Sequence, residues 1–187
     1  MPTRTFLALD LDEGVRRKLA ALQRELDAAG AVVRWTQSDQ IHVTMKFLGD
    51  VADEDLAQVC AIAQEAAAEV EAFDFAVAGV VSSPPDGHMR MVWVNIQDPT
   101  GLMAELNRRL EEAYSAMGFK AENRRFHPHL TLGRVKSGRA VAELRQAILN
   151  VQDAGFCLQP ADELIVYGSD LRPDGPIYTP LATLPLG

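Results

Sequence analysis

Two stretches of this chain alternate polar with apolar residues about a His-x-Thr tripeptide, His42-Val43-Thr44 and His129-Leu130-Thr131, and one order of elements surrounds both. A strand, an amphipathic helix, the His-x-Thr strand, a second helix and a further strand are predicted on either side of Ser82-Ser83-Pro84-Pro85-Asp86-Gly87. The histidines stand 87 positions apart, and the opening strands near Leu7 and Trp93 are offset by about as much. With four His and eight Thr in the chain, two accidental matches have odds of roughly one in a hundred. A repeated unit of this kind is expected to pack as two lobes about a pseudo-twofold axis, with the two motif strands facing a central cleft.

The periodicities place strands at residues 4–9, 31–35, 41–48, 73–81, 91–96, 130–135, 156–158, 164–167 and 177–184. Helices are expected after Asp12, from about Asp53, after Asp98-Pro99 and after Ser137, with Gly30 and Gly118 ending the first and third. The fold class that follows is α+β: two pseudo-symmetric antiparallel sheets with helices on their outer sides. The first repeat spans about 1–83, the second about 89–170, and a C-terminal strand follows at about 177–184.

Side chains two apart on a strand share a face, so each histidine carries a threonine hydroxyl beside it. Strict alternation puts His42, Thr44 and Lys46 on a polar face and Val43, Met45 and Phe47 on an apolar one, which makes Lys46 a candidate ligand-binding cation. It also puts Arg134 with Leu130 and Leu132, away from His129, unless a bulge turns it. Two imidazoles that titrate near neutrality form the acid and base of general acid-base catalysis, and the threonines are suited to hold phosphoryl oxygens. Which histidine is the acid is left open by the residues. Trp35 is the aromatic residue best placed to stack on a base, whereas Trp93, within Val92-Trp93-Val94, reads as core. His127 is expected beside the cleft and His88 in an exposed turn.

His127 and His129 have the spacing of two metal ligands, yet Pro128 separates them and no carboxylate or thiol falls at a matching position. No metal or cofactor is expected. A net charge of −8 argues against a protein that coats long nucleic acid, because that binding neutralises many phosphates with Lys and Arg. One anionic group is still admissible: Lys120, Arg124, Arg125, Arg134 and Lys136 cluster around the second motif against only Glu122. Cys60 and Cys157 read as free, buried thiols. Pro2-Thr3-Arg4-Thr5 lacks the start of a secretion signal and no apolar run is long enough to span a bilayer, so a cytoplasmic protein without a membrane partner is expected.

These residues carry a resemblance to the two-histidine phosphoesterase superfamily, in its LigT-like RNA 2′,3′-cyclic phosphodiesterase (2′-5′ RNA ligase) branch. The similarity lies in His42-Val43-Thr44-Met45 with Lys46-Phe47-Leu48-Gly49, in His129-Leu130-Thr131-Leu132 between Arg125-Phe126-His127-Pro128 and Gly133-Arg134-Val135, and in both ends of the chain. The resemblance implies a bilobal fold and metal-independent hydrolysis of a terminal ribose 2′,3′-cyclic phosphate to a 2′-phosphate. It implies His42 as proton donor, His129 as proton acceptor, Thr44 and Thr131 as phosphoryl ligands and Arg134 as a phosphate or nucleotide ligand. RNA or oligonucleotide ends, or small cyclic nucleotides, are the expected partners of a monomer. The alternatives are 2′-5′ joining of RNA ends and a catalytically silent nucleotide-binding module.

Overall fold

A computed structural model describes residues 2–152, 155–173 and 175–187. Its elements run β1 (Thr3–Leu9), α1 (Glu13–Asp27), β2 (Val33–Trp35), β3 (Val43–Val51), α2 (Leu56–Ala68), β4 (Phe73–Ser83), β5 (Met91–Gln97), α3 (Leu102–Ala116), β6 (His129–Val135), α4 (Val141–Val151), β7 (Gly155–Ala161), β8 (Glu163–Arg172) and β9 (Gly175–Pro185). The strand order is β7-β4-β5-β6-β3-β1-β8-β9, with β2 added on β6, and every described pairing is antiparallel. The class is the α+β one expected. Several strands outrun their apolar patterns: β3 passes through Gly49-Asp50, where the sequence reads as a stop.

The sheet has a narrow waist, because β3 and β6 share a single described pair, Val43 with Leu130. On one side of it lie β3-β1-β8-β9 and on the other β6-β5-β4-β7, and these sides do not follow the two halves of the chain. β4, from the first half, pairs with β5, and β8, from the second, pairs with β1. The helices cross over as well, since α1 packs against β7 and α4 while α3 packs against β3 and α2. Val15, Leu19, Leu22 and Leu26 on α1 and Met103, Leu106, Leu110 and Tyr114 on α3 are buried. At ~1.5–3 kcal/mol for each large apolar side chain removed from water, those stripes are enough to dock both helices. Tyr114 completes the second contact by donating its hydroxyl to Val59 O at 2.8 Å.

Both motif strands break the alternation at the same place. The β1–β3 register slips between Leu7 and Ala8, leaving Met45 as the extra residue, and the β5–β6 register slips between Val92 and Trp93, leaving Leu132. Each bulge carbonyl is held by a side-chain amide from the helix that crosses over. Asn107 Nδ2 on α3 donates to Met45 O at 2.7 Å, while Gln23 Nε2 on α1 donates to Leu132 O at 2.9 Å and to Thr36 O at 2.8 Å. Gln23 is buried, and Thr36 N adds a second bond to Leu132 O at 2.8 Å.

Gly133, next to the second bulge, lets β2 lie close on β6. A methyl on its Cα would sit 2.7 Å from Val33 Cγ1, 2.8 Å from Trp35 Cε3 and 3.2 Å from Arg34 O. Gly133→Ala should therefore overpack this seam and lower stability by ~1–3 kcal/mol, read as a lower denaturation midpoint at unchanged m-value. Asn107→Leu leaves Met45 O without its amide donor and should cost about 1–3 kcal/mol in the same measurement.

Candidate active site

The waist pairing brings the two motifs together. With Val43 opposite Leu130 in antiparallel register, Thr131 lies level with His42 and Thr44 with His129. The histidines are then diagonal neighbours, about 7–8 Å apart by ordinary sheet geometry, which leaves room for a phosphoryl group between them.

Each ring is held in the same way. Nδ1 of His42 lies 2.8 Å from Gln40 O and Nδ1 of His129 lies 2.8 Å from His127 O, so in the neutral rings Nδ1 donates and Nε2 carries the free lone pair. Each ring also stacks on an aromatic residue of the neighbouring strand: Phe6 on His42 at 4.8 Å and 27°, Trp93 on His129 at 3.9 Å and 23°. Phe6 and Trp93 are separated by the same 87 positions as the histidines. Trp93 is thus half-buried at the cleft and is not a plain core residue.

The surroundings differ. Nε2 of His42 lies 3.0 Å from Thr44 Oγ1, and Tyr178 meets its ring edge-on at 5.5 Å. No matching bond joins His129 to Thr131 among the described residues, and His127 stacks at 6.1 Å instead. Burial holds both imidazoles below the ordinary histidine range. For His42 the Gln40 carbonyl and the Asp10 carboxylate oppose that shift, whereas Arg16 and His129 add to it. For His129 the His127 carbonyl opposes it and the His127 ring adds to it.

The segment leading into each motif is tethered. Arg16 on α1 donates from Nη1 to Ile41 O at 3.1 Å and also pairs with Asp10. Lys46 plays the matching part for the second motif: it is 4 % exposed, and its Nζ bonds Glu111 Oε2 at 2.7 Å and Lys120 O at 3.0 Å. Lys46 accordingly does not share the face of His42 and Thr44. The Met45 bulge turns it inward and turns Phe47 out, where the ring is 48 % exposed and Arg4 lies 4.5 Å above it. The Leu132 bulge acts identically on Arg134, which pairs with Met91 on the face where Trp93 meets Thr131 and Asn95 meets His129. Arg134 is exposed on the cleft side.

Trp35 is a second correction. It stands opposite Gly133 on the far face, packs against the core and donates Nε1 to Asp27 Oδ1 at 2.7 Å, so it is not in the cleft. The 87-residue offset aligns Phe47 with Arg134 in the sequence already, but not the outward turn of Phe47; the stacking of Trp93 on His129 was missed, although the same offset aligns Phe6 with Trp93. His88 is exposed as expected, while Cys60 and Cys157 are free thiols only partly buried. No group of three His, Cys, Asp or Glu side chains is arranged to hold a metal, and no helix is long and apolar enough to cross a membrane, among the described residues.

The family model described as LigT like Phosphoesterase matches residues 9–93 and again 94–178. An RNA 2′,3′-cyclic phosphodiesterase of Methanothermobacter thermautotrophicus is 34% identical over 96% of this chain and 96% of its own. One of Methanocaldococcus jannaschii is 29% identical over 94% and 96%. The crystal structure of Escherichia coli LigT complexed with 3′-AMP superposes with a TM-score of 0.81 over 100% of this chain and 99% of that one, and at 23% identity it speaks for the fold. With its two motifs joined at one sheet waist and the family model matched along both halves, this chain belongs to the LigT-like family of the two-histidine phosphoesterase superfamily.

Proposed function

We propose that the protein hydrolyses a ribose 2′,3′-cyclic phosphate at an RNA end to a 2′-phosphate, without a metal, using both histidines. The observation that carries this reading is the pair of diagonally placed imidazoles, each with Nδ1 tied to a backbone carbonyl. His129 Nε2 takes a proton from water as the water oxygen bonds to phosphorus. The bond from phosphorus to O3′ breaks, and His42 Nε2 delivers a proton to that oxygen. Thr44 and Thr131 donate to the non-bridging oxygens, where negative charge accumulates. His42 is taken as donor and His129 as acceptor on the family resemblance, since burial lowers both imidazoles and the charges around His42 act in both directions. The relatives named as RNA 2′,3′-cyclic phosphodiesterases support the substrate class. We infer further that the fold is bilobal and arose by duplication, from the matched bulges, stacked rings and Nδ1 contacts at one offset.

The decisive experiment is product analysis on an oligonucleotide ending in a 2′,3′-cyclic phosphate, in EDTA, scoring 2′-phosphate, 3′-phosphate and joined RNA separately. A 2′-phosphate product is expected, with His42→Ala and His129→Ala each reducing kcat by at least about 100-fold. A chelator-sensitive activity restored by zinc would overturn the metal-free mechanism, and a joined product would reassign the reaction to ligation.

The pH dependence follows from burial. Both free-enzyme imidazoles ionise below the ordinary 6.5, while the active form needs one charged and one neutral, so kcat/KM should peak on the acid side of pH 6.5. A bound phosphate anion stabilises the charged acid and should move the alkaline limb of kcat to higher pH than that of kcat/KM. A kcat/KM optimum above pH 7.5 would contradict the neutral resting pair.

A further inference from the structure

Resting on the cyclic phosphodiesterase reading, we propose that Arg34 and Arg134 form a second phosphate subsite, for a phosphate carried on the 5′ oxygen of the terminal nucleotide. In an RNA that group is the first internucleotide linkage.

The two arginines are direct cross-strand partners in the β2–β6 pair, and Arg134 in turn partners Met91 on the cleft face of β5. Directly opposed side chains share a face, so Arg34 joins the face of His129 and Thr131, on the edge of β6 that also carries β3 and His42 and farther along that edge. Both arginines are exposed. Like charges placed opposite one another are destabilising unless an anion lies between them. The chain carries 26 acidic residues, yet no carboxylate lies within ion-pair distance of either guanidinium among the described residues.

The fold goes to some length to keep this pair in place. β2 is three residues long and, among the described residues, pairs with β6 alone. Its flanking Val33 and Trp35 turn to the opposite face, where they crowd Gly133, so Arg34 is the one cleft-facing side chain of the strand. Thr36 N to Leu132 O and Lys136 N to Val32 O, both 2.8 Å, close the strip at its two ends, and the Trp35–Asp27 bond ties it to α1. Arginine forks match phosphate oxygens in a way that lysine does not. The scissile phosphate is held by the two His-x-Thr motifs with Arg134 at their edge. Arg34, one interstrand spacing of about 4.8 Å from Arg134, then meets the next phosphate along the same nucleotide.

The test is calorimetric binding of three probes to the full chain: adenosine 2′-phosphate, adenosine 2′,5′-bisphosphate and a dinucleotide ending in 2′-phosphate without a 5′-phosphate. Wild type should bind the last two more tightly than the first. Arg34→Gln should weaken those two by about tenfold more than the monophosphate and make their binding less sensitive to salt, and Arg34→Lys should keep part of the preference. Tight dinucleotide but weak bisphosphate binding would assign the subsite to the internucleotide diester, and tight binding of both to any 5′-linked phosphate. Arg17→Gln, on the exposed side of α1, should retain the wild-type preference. No preference in wild type, absence of binding, an equal loss for all three probes in Arg34→Gln, or the same loss in Arg17→Gln would each overturn the proposal. Hydrolysis of adenosine 2′,3′-cyclic phosphate by wild type is scored separately, so failure of the enzymatic reading and failure of the subsite are told apart.

Discussion

One matched extra residue in each motif strand, Met45 in β3 and Leu132 in β6, is the constraint on which the cleft depends. A regular β6 would drive Arg134 into the layer occupied by Leu130 and Leu132, both fully buried, and burying an unpaired guanidinium is far costlier than the loss of one ladder bond. The Leu132 bulge avoids this by inverting the alternation after Thr131, and the Met45 bulge does the same after Thr44. Bulges re-aim side chains but interrupt the ladder, so the freed carbonyls need donors. Gln23 and Asn107 supply them from helices beneath the sheet, which couples the face that carries the histidines to the core.

Within that shared frame, the differences between the half-sites are electrostatic. Both rings have the same Nδ1 partner type and an aromatic residue stacked against them, so their orientation is nearly symmetric. Asp10 and Arg16 act on His42, and the exposed His127 acts on His129. At the end of each motif, Phe47 under Arg4 stands where the other half has Arg134. One half therefore offers an aromatic surface and the other a fork of donors, which suits a ligand with a base at one end and phosphate at the other.

Much of this was legible in the sequence. The His-x-Thr pairs, the amphipathic stripes of α1 and α3 and the order of elements all emerged as periodicity, because each rests on a local pattern of apolar and polar residues. Lys46 and Trp35 did not, for one physical reason. Their faces are fixed by pairing with other strands, Lys46 through the β1–β3 slip and Trp35 through its register opposite Gly133, and neither signal is present in the local sequence. The exchange of β4 and β8 across the waist is equally non-local, since β4 follows α2 and β8 follows β7 as they would in two separate lobes.

That exchange bears on how the site is kept whole. β3 and β6 meet in one described pair, and a single pair could not by itself hold the two motif strands at a fixed angle. The angle is set from outside the waist. α1 rises from the first half of the chain to hold the second bulge, α3 rises from the second half to hold the first, and Lys46 reaches from β3 to Glu111 and the Lys120 carbonyl on the path into His129. Each imidazole is thus oriented by groups from both halves of the chain. A cut between the halves would separate each bulge from its amide clamp as well as one histidine from the other, so the fold and the pairing of the two histidines are assembled by the same crossing contacts.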